Sequence, residues 1–300
     1  MRGSNLAVYW LGGDIPFMRS ALISTVAALC PFVMAAPAPA SWFFTTSEVG
    51  LAAELVGTDL VPNIGSNRTY RIWAVTPETW RIDAIAGNES VGMRFEAIGG
   101  TFYQHSFGGP TSLAINPGFF TIFPSLEWDS FLTIGRLTAT DNHLLDLGVD
   151  WAAFEASGSV LETTNGSVFI LPAHSQGDSV PFSDSCGRTG QGVLIAQLTV
   201  VGEGATLEGS VLLQGGDEFG ETYQAFIMDF SIDQDGVSNA LPEVVCAADI
   251  SGDNEVNIFD LLHVLEHWYD GSCEDITRDL VVGIEDILLV VDSWGSCIAE

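Results

Sequence analysis

Short apolar or alternating segments, separated by turn residues, fill the chain between residues 41 and 232. The segments are Tyr70–Val75, Val91–Ile98, Phe119–Phe123, Phe131–Ile134, Ser167–Leu171, Val193–Val200, Ser210–Leu213 and Tyr223–Phe230. Turn signals such as Gly99-Gly100 and Asn165-Gly166 divide them, a pattern typical of β-strands. A 3.6-residue period, which would indicate a helix, is present only at Glu48–Leu55. The pattern predicts a β-sandwich or jelly-roll domain over residues 41–232.

The pattern changes after residue 232. Residues 233–245 are polar and rich in turn residues, which indicates a linker. A two-part unit then occurs twice. Its first part carries acidic and hydroxyl residues at alternate positions, and its second part has the apolar stripe of an amphipathic helix. The first copy runs from Asp249 to Trp268, and the second runs from Asp275 to Trp294, 26 residues later. A repeat in identical phase indicates a duplicated unit over residues 246–300.

The first copy places oxygen-bearing groups where a calcium loop needs its ligands. Calcium takes oxygens from positions 1, 3, 5, 7, 9 and 12 of such a loop. Those positions carry Asp249, Ser251, Asp253, Glu255 (through its backbone carbonyl), Asn257 and Asp260. The sequence therefore predicts Ca²⁺ at the first loop.

The second copy keeps fewer of these ligands. Ligands remain at positions 1, 3, 5 and 12, which carry Asp275, Thr277, Asp279 and Asp286 respectively. Leu280 stands where the loop needs a tight turn, Gly283 removes the ligand at position 9, and Arg278 adds a positive charge. A bulky residue strains such a turn. The sequence therefore does not decide whether the second loop binds calcium.

Two loop-and-helix units of this form resemble a type I dockerin module, over residues 246–297. The resemblance implies a small α-helical, calcium-folded module, with the loop residues above as ligands, that docks onto a cohesin-like or cell-surface protein. Such tails are common on extracellular proteins that degrade or bind polysaccharides. Loop positions 10 and 11 contact the partner in this family and often carry small hydroxyl residues. This chain has Ile258-Phe259 and Ile284-Glu285 at those positions. We expect Ile258 and Phe259 to pack against the module's own core or the β-domain.

The N-terminal segment, residues 1–40, has the form of a secretion signal. Met18-Arg19 precedes an apolar run, and Ala38-Pro39-Ala40 offers a cleavage site. We expect Met18 to be the true start. No later stretch reaches the roughly 18 apolar residues of a membrane span. These features predict a protein that is secreted, or held at the cell surface, without membrane insertion.

Four cysteines follow the signal segment: Cys186, Cys246, Cys273 and Cys297. An even number in an exported chain predicts two disulfides, for which three pairings are possible. The two ends of a dockerin-like fold lie close together, so the resemblance suggests a Cys246–Cys297 link as a hypothesis.

The charge balance excludes two classes of partner. The chain has 39 acidic residues and nine basic ones, all of them Arg, for a net charge of −30. Such a chain repels phosphate backbones and anionic lipid, which argues against nucleic acid and membrane surfaces as partners.

Glu127 and Asp129 are the best catalytic candidates. Residues two apart on a strand face the same side, and paired carboxylates are the machinery of glycosidases. The segment faintly resembles laminarinase-like jelly-roll enzymes, but these carry a further Glu where this chain has Ser130, Phe131 and Leu132. We therefore favour a secreted calcium-binding protein whose tail attaches a glycan-binding β-domain. The alternatives are a glycoside hydrolase that uses Glu127 and Asp129, and a structural component of an extracellular layer.

Overall fold

The structure is a computed structural model that describes residues 44–45, 48–156, 158–242, 246–251, 253, 255–269 and 273–297. The predicted signal segment and its Met18 start lie outside the described residues. Contacts between Cα atoms group residues 41–300 into one compact unit. No helix in the described part of the chain is both long and apolar enough to cross a membrane.

The described residues form mostly β-structure. The strands are β1 (Phe44–Thr45), β2 (Gly50–Thr58), β3 (Asn67–Val75), β4 (Arg81–Gly87), β5 (Met93–Ile98), β6 (Thr101–Phe102), β7 (Phe131–Leu132), β8 (Leu145–Leu147), β9 (Val160–Thr163), β10 (Gly166–Phe169), β11 (Val180–Ser183), β12 (Thr189–Val201), β13 (Thr206–Gly216), β14 (Thr222–Ile232), β15 (Glu255–Val256) and β16 (Gly295–Ser296). The α-helices are α1 (Ala152–Glu155), α2 (Ile258–Glu266) and α3 (Ile284–Asp292). Short 3₁₀ helices cover Ser112–Ala114, Pro117–Phe119, Pro124–Trp128 and Ser175–Gly177.

Two antiparallel sheets dominate this architecture. The first has the order β1-β14-β13-β4-β10-β8, with β5 beside β13 and β9 beside β5. The second has the order β11-β12-β3-β2, with β6 and β7 also paired to β12. The pairing of β1 with β14 is parallel. The prediction of a mostly β fold is therefore confirmed.

The two sheets share one hydrophobic core. Tyr70 and Ile72 from β3 of the second sheet meet Phe95 and Tyr223 from the first, and all four are fully buried. Because successive strand residues point to opposite faces, the neighbours of Tyr70 and Ile72 on β3 lie on the outer face of the second sheet. That face carries the pocket described further below.

Two predicted elements are wrong. The segment Glu48–Leu55 has a helical period, but residues from Gly50 onwards form β2, which pairs antiparallel with β3. The segment Phe119–Phe123 is predicted as a strand but follows a 3₁₀ helix, at whose start the Asn116 side chain accepts a hydrogen bond from the Gly118 N–H at 2.9 Å. Local hydrogen bonding around Asn116-Pro117 overrides the apolar pattern there.

The described part of the predicted linker, residues 233–242, runs along the sheets. Asp233 forms a turn, in which its carboxylate accepts the N–H groups of Asp235 and Val237, both at 2.9 Å. The Ser238 hydroxyl then donates to the Leu51 carbonyl at 2.8 Å, and the Leu51 N–H donates to the Ala240 carbonyl at 2.7 Å. The chain is therefore held against β2 as it approaches the tail.

The tail, residues 246–297, contains α2 and α3 at equivalent positions of the two repeats. Val264 of α2 and Val290 of α3 are fully buried and pack together with Val256 and Val282 in a small core. Strands β15 and β16 pair antiparallel and join the first loop to the C-terminal end of the tail.

Candidate functional site

The first loop of the tail is an acidic turn in which side chains hydrogen-bond the loop itself. The Asp249 carboxylate accepts the Asp253 N–H at 3.1 Å and the Ser251 hydroxyl at 3.4 Å. The Asp253 carboxylate accepts the Glu255 N–H at 2.9 Å. The Asn257 amide donates to the Asp253 carboxylate at 3.3 Å and to the Glu255 carbonyl at 3.1 Å. The predicted ligands therefore lie around one turn.

Asp260 and Asn257 form the start of α2. The Asn257 side chain accepts the Phe259 N–H at 2.8 Å, and Asp260 accepts the Asn257 N–H at 2.8 Å, which together make a capping box. Asp260 is fully buried and also accepts the Ser251 N–H at 2.9 Å. Burial opposes its charged form, but these N–H donors outweigh burial and lower the pKa of Asp260.

The second loop satisfies its first carboxylate with its own donors. Asp275 accepts the Thr277 hydroxyl at 3.1 Å and the N–H groups of Arg278 and Asp279 at 2.7 and 3.2 Å. Its other oxygen accepts the Leu280 N–H at 2.6 Å. Leu280 has a φ of 71°, a conformation that is unfavourable for a residue with a β-carbon. The predicted strain at Leu280 is therefore present.

The last carboxylate of the second loop and its arginine are also engaged. Asp286 is fully buried and accepts N–H groups from Ile276, Thr277 and Gly283 at 2.7 to 2.9 Å. The Arg278 guanidinium turns away from these oxygens and donates to the carbonyls of Leu241 and Pro242. The second loop is therefore tied to the end of the linker.

Both loops carry oxygen donors of the kind that Ca²⁺ binds. Within the described residues, however, no three or more His, Cys, Asp or Glu side chains are grouped as a metal site would require. The loop carboxylates face backbone N–H groups instead. The donor set of the first loop fits calcium in its chemistry, with Asp249, Asp253 and Asp260 as its charged members.

Each tail helix leaves a second apolar stripe uncovered. On α2, Ile258, Leu262 and Leu265 are 49, 52 and 48% exposed. The residues 26 positions later on α3 are Ile284, Leu288 and Val291, at 52, 58 and 53%. Positions i, i+4 and i+7 lie on one helical face, so the duplication extends to an exposed apolar surface. We call these six residues the docking face.

The pair Ile258-Phe259 does not pack inside the tail or on the sheets as expected. Ile258 is 49% exposed and Phe259 is 61% exposed. The capping box formed by Asn257 and Asp260 fixes the first turn of α2, which directs both side chains outward. This expectation is therefore wrong: Ile258 belongs to the docking face, and the exposed Phe259 follows it in the chain.

The four cysteines form two disulfides. Cys246 is bonded to Cys297, which joins the two ends of the tail as hypothesised. Cys186 is bonded to Cys273 and links the strand region to the second repeat. A cavity of about 470 Å³ lies beside this second link, lined by residues of both regions, including Phe182 and Ile276. The tail is thus joined to the strand region by two covalent connections: the chain itself, through the linker, and the Cys186–Cys273 disulfide.

Glu127 and Asp129 do not lie on a strand. Glu127 belongs to the 3₁₀ helix Pro124–Trp128 and is exposed, whereas Asp129 follows that helix and is fully buried. The Asp129 carboxylate accepts the N–H groups of His105 and Gly109 at 2.6 and 3.1 Å. The structure therefore gives these two carboxylates different surroundings, and Asp129 holds the 105–109 turn.

The Asp129 carboxyl has a perturbed pKa. Burial raises its pKa to about 7, the charge of Glu155 adds to this effect, and the N–H donors from His105 and Gly109 oppose it. A β-carbon on Gly108 would overlap an Asp129 carboxylate oxygen. The turn at residues 105–109 therefore packs closely around the Asp129 carboxyl, which is fully buried.

No protein-family model matches this chain, and comparisons with curated proteins and with solved structures also found no match. The site must therefore be interpreted from its own residues. Two of its features escaped the sequence reasoning. The exposed stripe at Leu262 and Leu288 could have been found by comparing apolar positions between the two repeats. The Cys186–Cys273 pairing had no local signal of its own: it follows only if Cys246 pairs with Cys297, which the resemblance alone suggested.

Proposed function

We propose that this protein is an extracellular attachment protein: its tail docks onto a partner protein and thereby fixes the strand region in place. The observation that carries this proposal is the duplicated docking face. A small module that buries Val264 and Val290 but leaves Leu262 and Leu288 more than half exposed has apolar surface in excess of its own core. Exposed apolar patches of this kind mark interaction sites.

The finer architecture is part of the same proposal. The strand region, residues 41–232, would be a β-sandwich, which the core shared by the two sheets supports. The tail would be a dockerin-like module that holds one Ca²⁺ at the first loop. The second loop would need no metal, because Asp275 and Asp286 are satisfied by their own loop and Arg278 engages the linker.

Charge indicates what kind of partner fits the docking face. Residues 246–300 contain 13 acidic residues and one Arg, for a net charge of −12. Two such tails repel each other, so a second copy of this chain is a poor occupant. We propose a protein partner with an apolar centre surrounded by basic residues, as a cohesin-like or cell-surface protein could present.

The strand region would bind extracellular glycan. The two disulfides are compatible with an exported protein, and aromatic side chains such as Phe107, 54% exposed and stacked on Phe123 at 4.5 Å, are available at its surface. Because Glu127 is exposed and Asp129 is buried, we propose a binding protein rather than a glycoside hydrolase.

Sedimentation and crosslinking test the docking proposal. The full exported chain should sediment as a monomer at micromolar concentration. A photo-crosslinker placed at Leu262 should capture a partner, and the purified partner should bind the wild-type chain. The double variant Leu262→Glu/Leu288→Glu should lose this binding, whereas Leu147→Glu, the same change at a 71% exposed leucine of β8 in the strand region, should retain it. A dimer of the chain that the double variant abolishes would instead make the docking face a self-association surface.

A further inference from the structure

A pocket of about 330 Å³ lies on the outer face of the second sheet. Its floor is formed by β3 and β12, and its walls by the loop after β7 and by the 3₁₀ helix Ser175–Gly177. The polar and aromatic residues that line it are Arg71, Trp73, Arg136, Ser175, Gln176 and Asp178. A volume of this size is within the range of small-ligand sites.

Arg71 brings an unsatisfied donor to this pocket. One terminal nitrogen of its guanidinium lies 3.6 Å from the Glu54 carboxylate. Its Nε is buried and has no hydrogen-bond partner among the described residues. A buried donor without a partner is unfavourable on a charged group. The Arg71 side chain as a whole is still 24% exposed and lines the pocket, so a ligand oxygen there could add a hydrogen bond to the guanidinium.

Arg136 adds a second positive charge to the same pocket. Its side chain is 43% exposed, and its closest carboxylate partner in the described chain, Asp141, is 3.8 Å away and 76% exposed. The chain has nine Arg and no Lys, so this pocket holds two of its nine cationic side chains, beside the carboxylate of Asp178. Arginine binds planar carboxylates through parallel hydrogen bonds.

The remaining lining residues indicate what else the ligand carries. Trp73 stacks on Phe182 with ring centroids 5.0 Å apart and an interplanar angle of 10°, which holds the indole in a fixed position at the pocket. Its ring offers the kind of apolar surface on which a sugar ring packs. Asp178 is an acceptor, so the ligand must present hydroxyl groups as well as one anionic group.

We propose that this pocket binds a carboxylate-bearing sugar, a uronic acid unit of a polysaccharide. Arg71 and Arg136 would bind the carboxylate, Trp73 would contact the ring, and Asp178 would accept a hydroxyl. The sugar part of this inference rests on the proposed glycan-binding function, whereas the carboxylate part rests on the two arginines alone.

Calorimetric titration of the full exported chain tests the proposal. The probes are trigalacturonate and triglucuronate, each beside its neutral counterpart of the same linkage, galactotriose or glucotriose. At least one uronide should bind about tenfold more tightly than its neutral counterpart, and Arg136→Gln and Arg71→Met should each weaken it roughly tenfold, as expected for a lost charge-assisted hydrogen bond. Arg136 is a partly exposed loop residue, so we expect Arg136→Gln to fold. This variant therefore still tests the proposal if Arg71→Met does not fold.

Arg68→Gln is the matched control. Arg68 also lies on β3, but it contacts Gln234 at 3.0 Å and does not line the pocket, so this variant should bind like the wild type. Equal affinity for uronide and neutral sugar, no binding of either, or an equal loss in Arg68→Gln would each overturn the proposal. The docking variant Leu262→Glu/Leu288→Glu should bind the uronide normally, which keeps failure of the pocket separate from failure of the docking face.

Discussion

The strand region and the tail obtain their stability in different ways. The two sheets surround a large core that includes Tyr70, Phe95 and Tyr223. The described tail buries five apolar residues in its core, four Val and one Ala. Cores this small do not usually sustain a fold alone, and small domains add disulfides or a metal. The tail has two disulfides and two acidic loops, yet it keeps its largest apolar side chains outside. The difference supports our proposal that those side chains serve binding rather than folding.

The comparison predicts that breaking crosslinks affects the tail most. Cys246→Ser/Cys297→Ser should destabilise the tail by about 2–5 kcal/mol, because the link closes a chain segment with a sequence separation of 51. Circular dichroism should then show loss of helix while hydrogen exchange in β12 and β13 stays slow. Cys186→Ser/Cys273→Ser is the comparison variant: it removes one of the two covalent links between the tail and the sheets but should leave α2 and α3 formed. Simultaneous unfolding of sheets and tail in either variant would contradict this division.

The strand region should respond to pH through Asp129. Its pKa is raised to about 7 in the fold, so the stability it contributes is complete below its unfolded pKa of roughly 4 and is lost as pH rises through 7. Between pH 5 and pH 8, urea unfolding should show a decline on the order of a few kcal/mol from this group. Asp129→Asn should reduce that decline. The exposed Glu127→Gln should leave the decline unchanged, and an equal effect of both variants would exclude Asp129 as the source.

Within the second loop of the tail, the buried carboxylate of Asp286 and the exposed carboxylate of Asp279 should contribute differently to stability. Asp286→Ala leaves three buried N–H donors without an acceptor and should destabilise the tail by about 2–3 kcal/mol even when calcium is absent. Asp279 is exposed and accepts one N–H, from Val281, at 3.0 Å, so Asp279→Ala should change stability by no more than about 0.5 kcal/mol. Thermal unfolding in a calcium chelator measures both. Similar losses for the two variants in the chelator would contradict the claim that the buried Asp286, through the loop's own donors, organises this loop.

The smallest expected effect is a gain in stability. Leu280 has a φ of 71°, where glycine lacks the steric penalty of about 1 kcal/mol that a β-carbon brings. Leu280→Gly should therefore raise the stability of the tail by up to about 1 kcal/mol, less whatever packing the half-buried side chain provides. Leu280→Ala keeps the β-carbon and should show no gain. A loss in Leu280→Gly larger than that in Leu280→Ala would contradict the strain.

The sequence predicted the β-structure and both tail helices because their signals are local. Period-two runs such as Tyr70–Val75 became strands, and the apolar stripes after Asn257 and Gly283 became α2 and α3. Prediction left the pairing open where contacts distant in sequence decide, as for Cys186 with Cys273. It failed where a side chain bonds its own backbone, as Asn116 does. The pocket that we propose as a uronide site could not be predicted, because Arg71 and Arg136 come together only through the pairing of β3 with β12 and the loop after β7.

The measurement that tests the central claim most directly is a calorimetric calcium titration of the full exported chain. We predict one Ca²⁺ per chain, with binding abolished by Asp253→Ala in the first loop and unchanged by Asp279→Ala at the equivalent position of the second. Absence of binding at millimolar calcium, or equal loss in the two variants, would contradict a tail built on one metal-bound loop and one loop that satisfies itself.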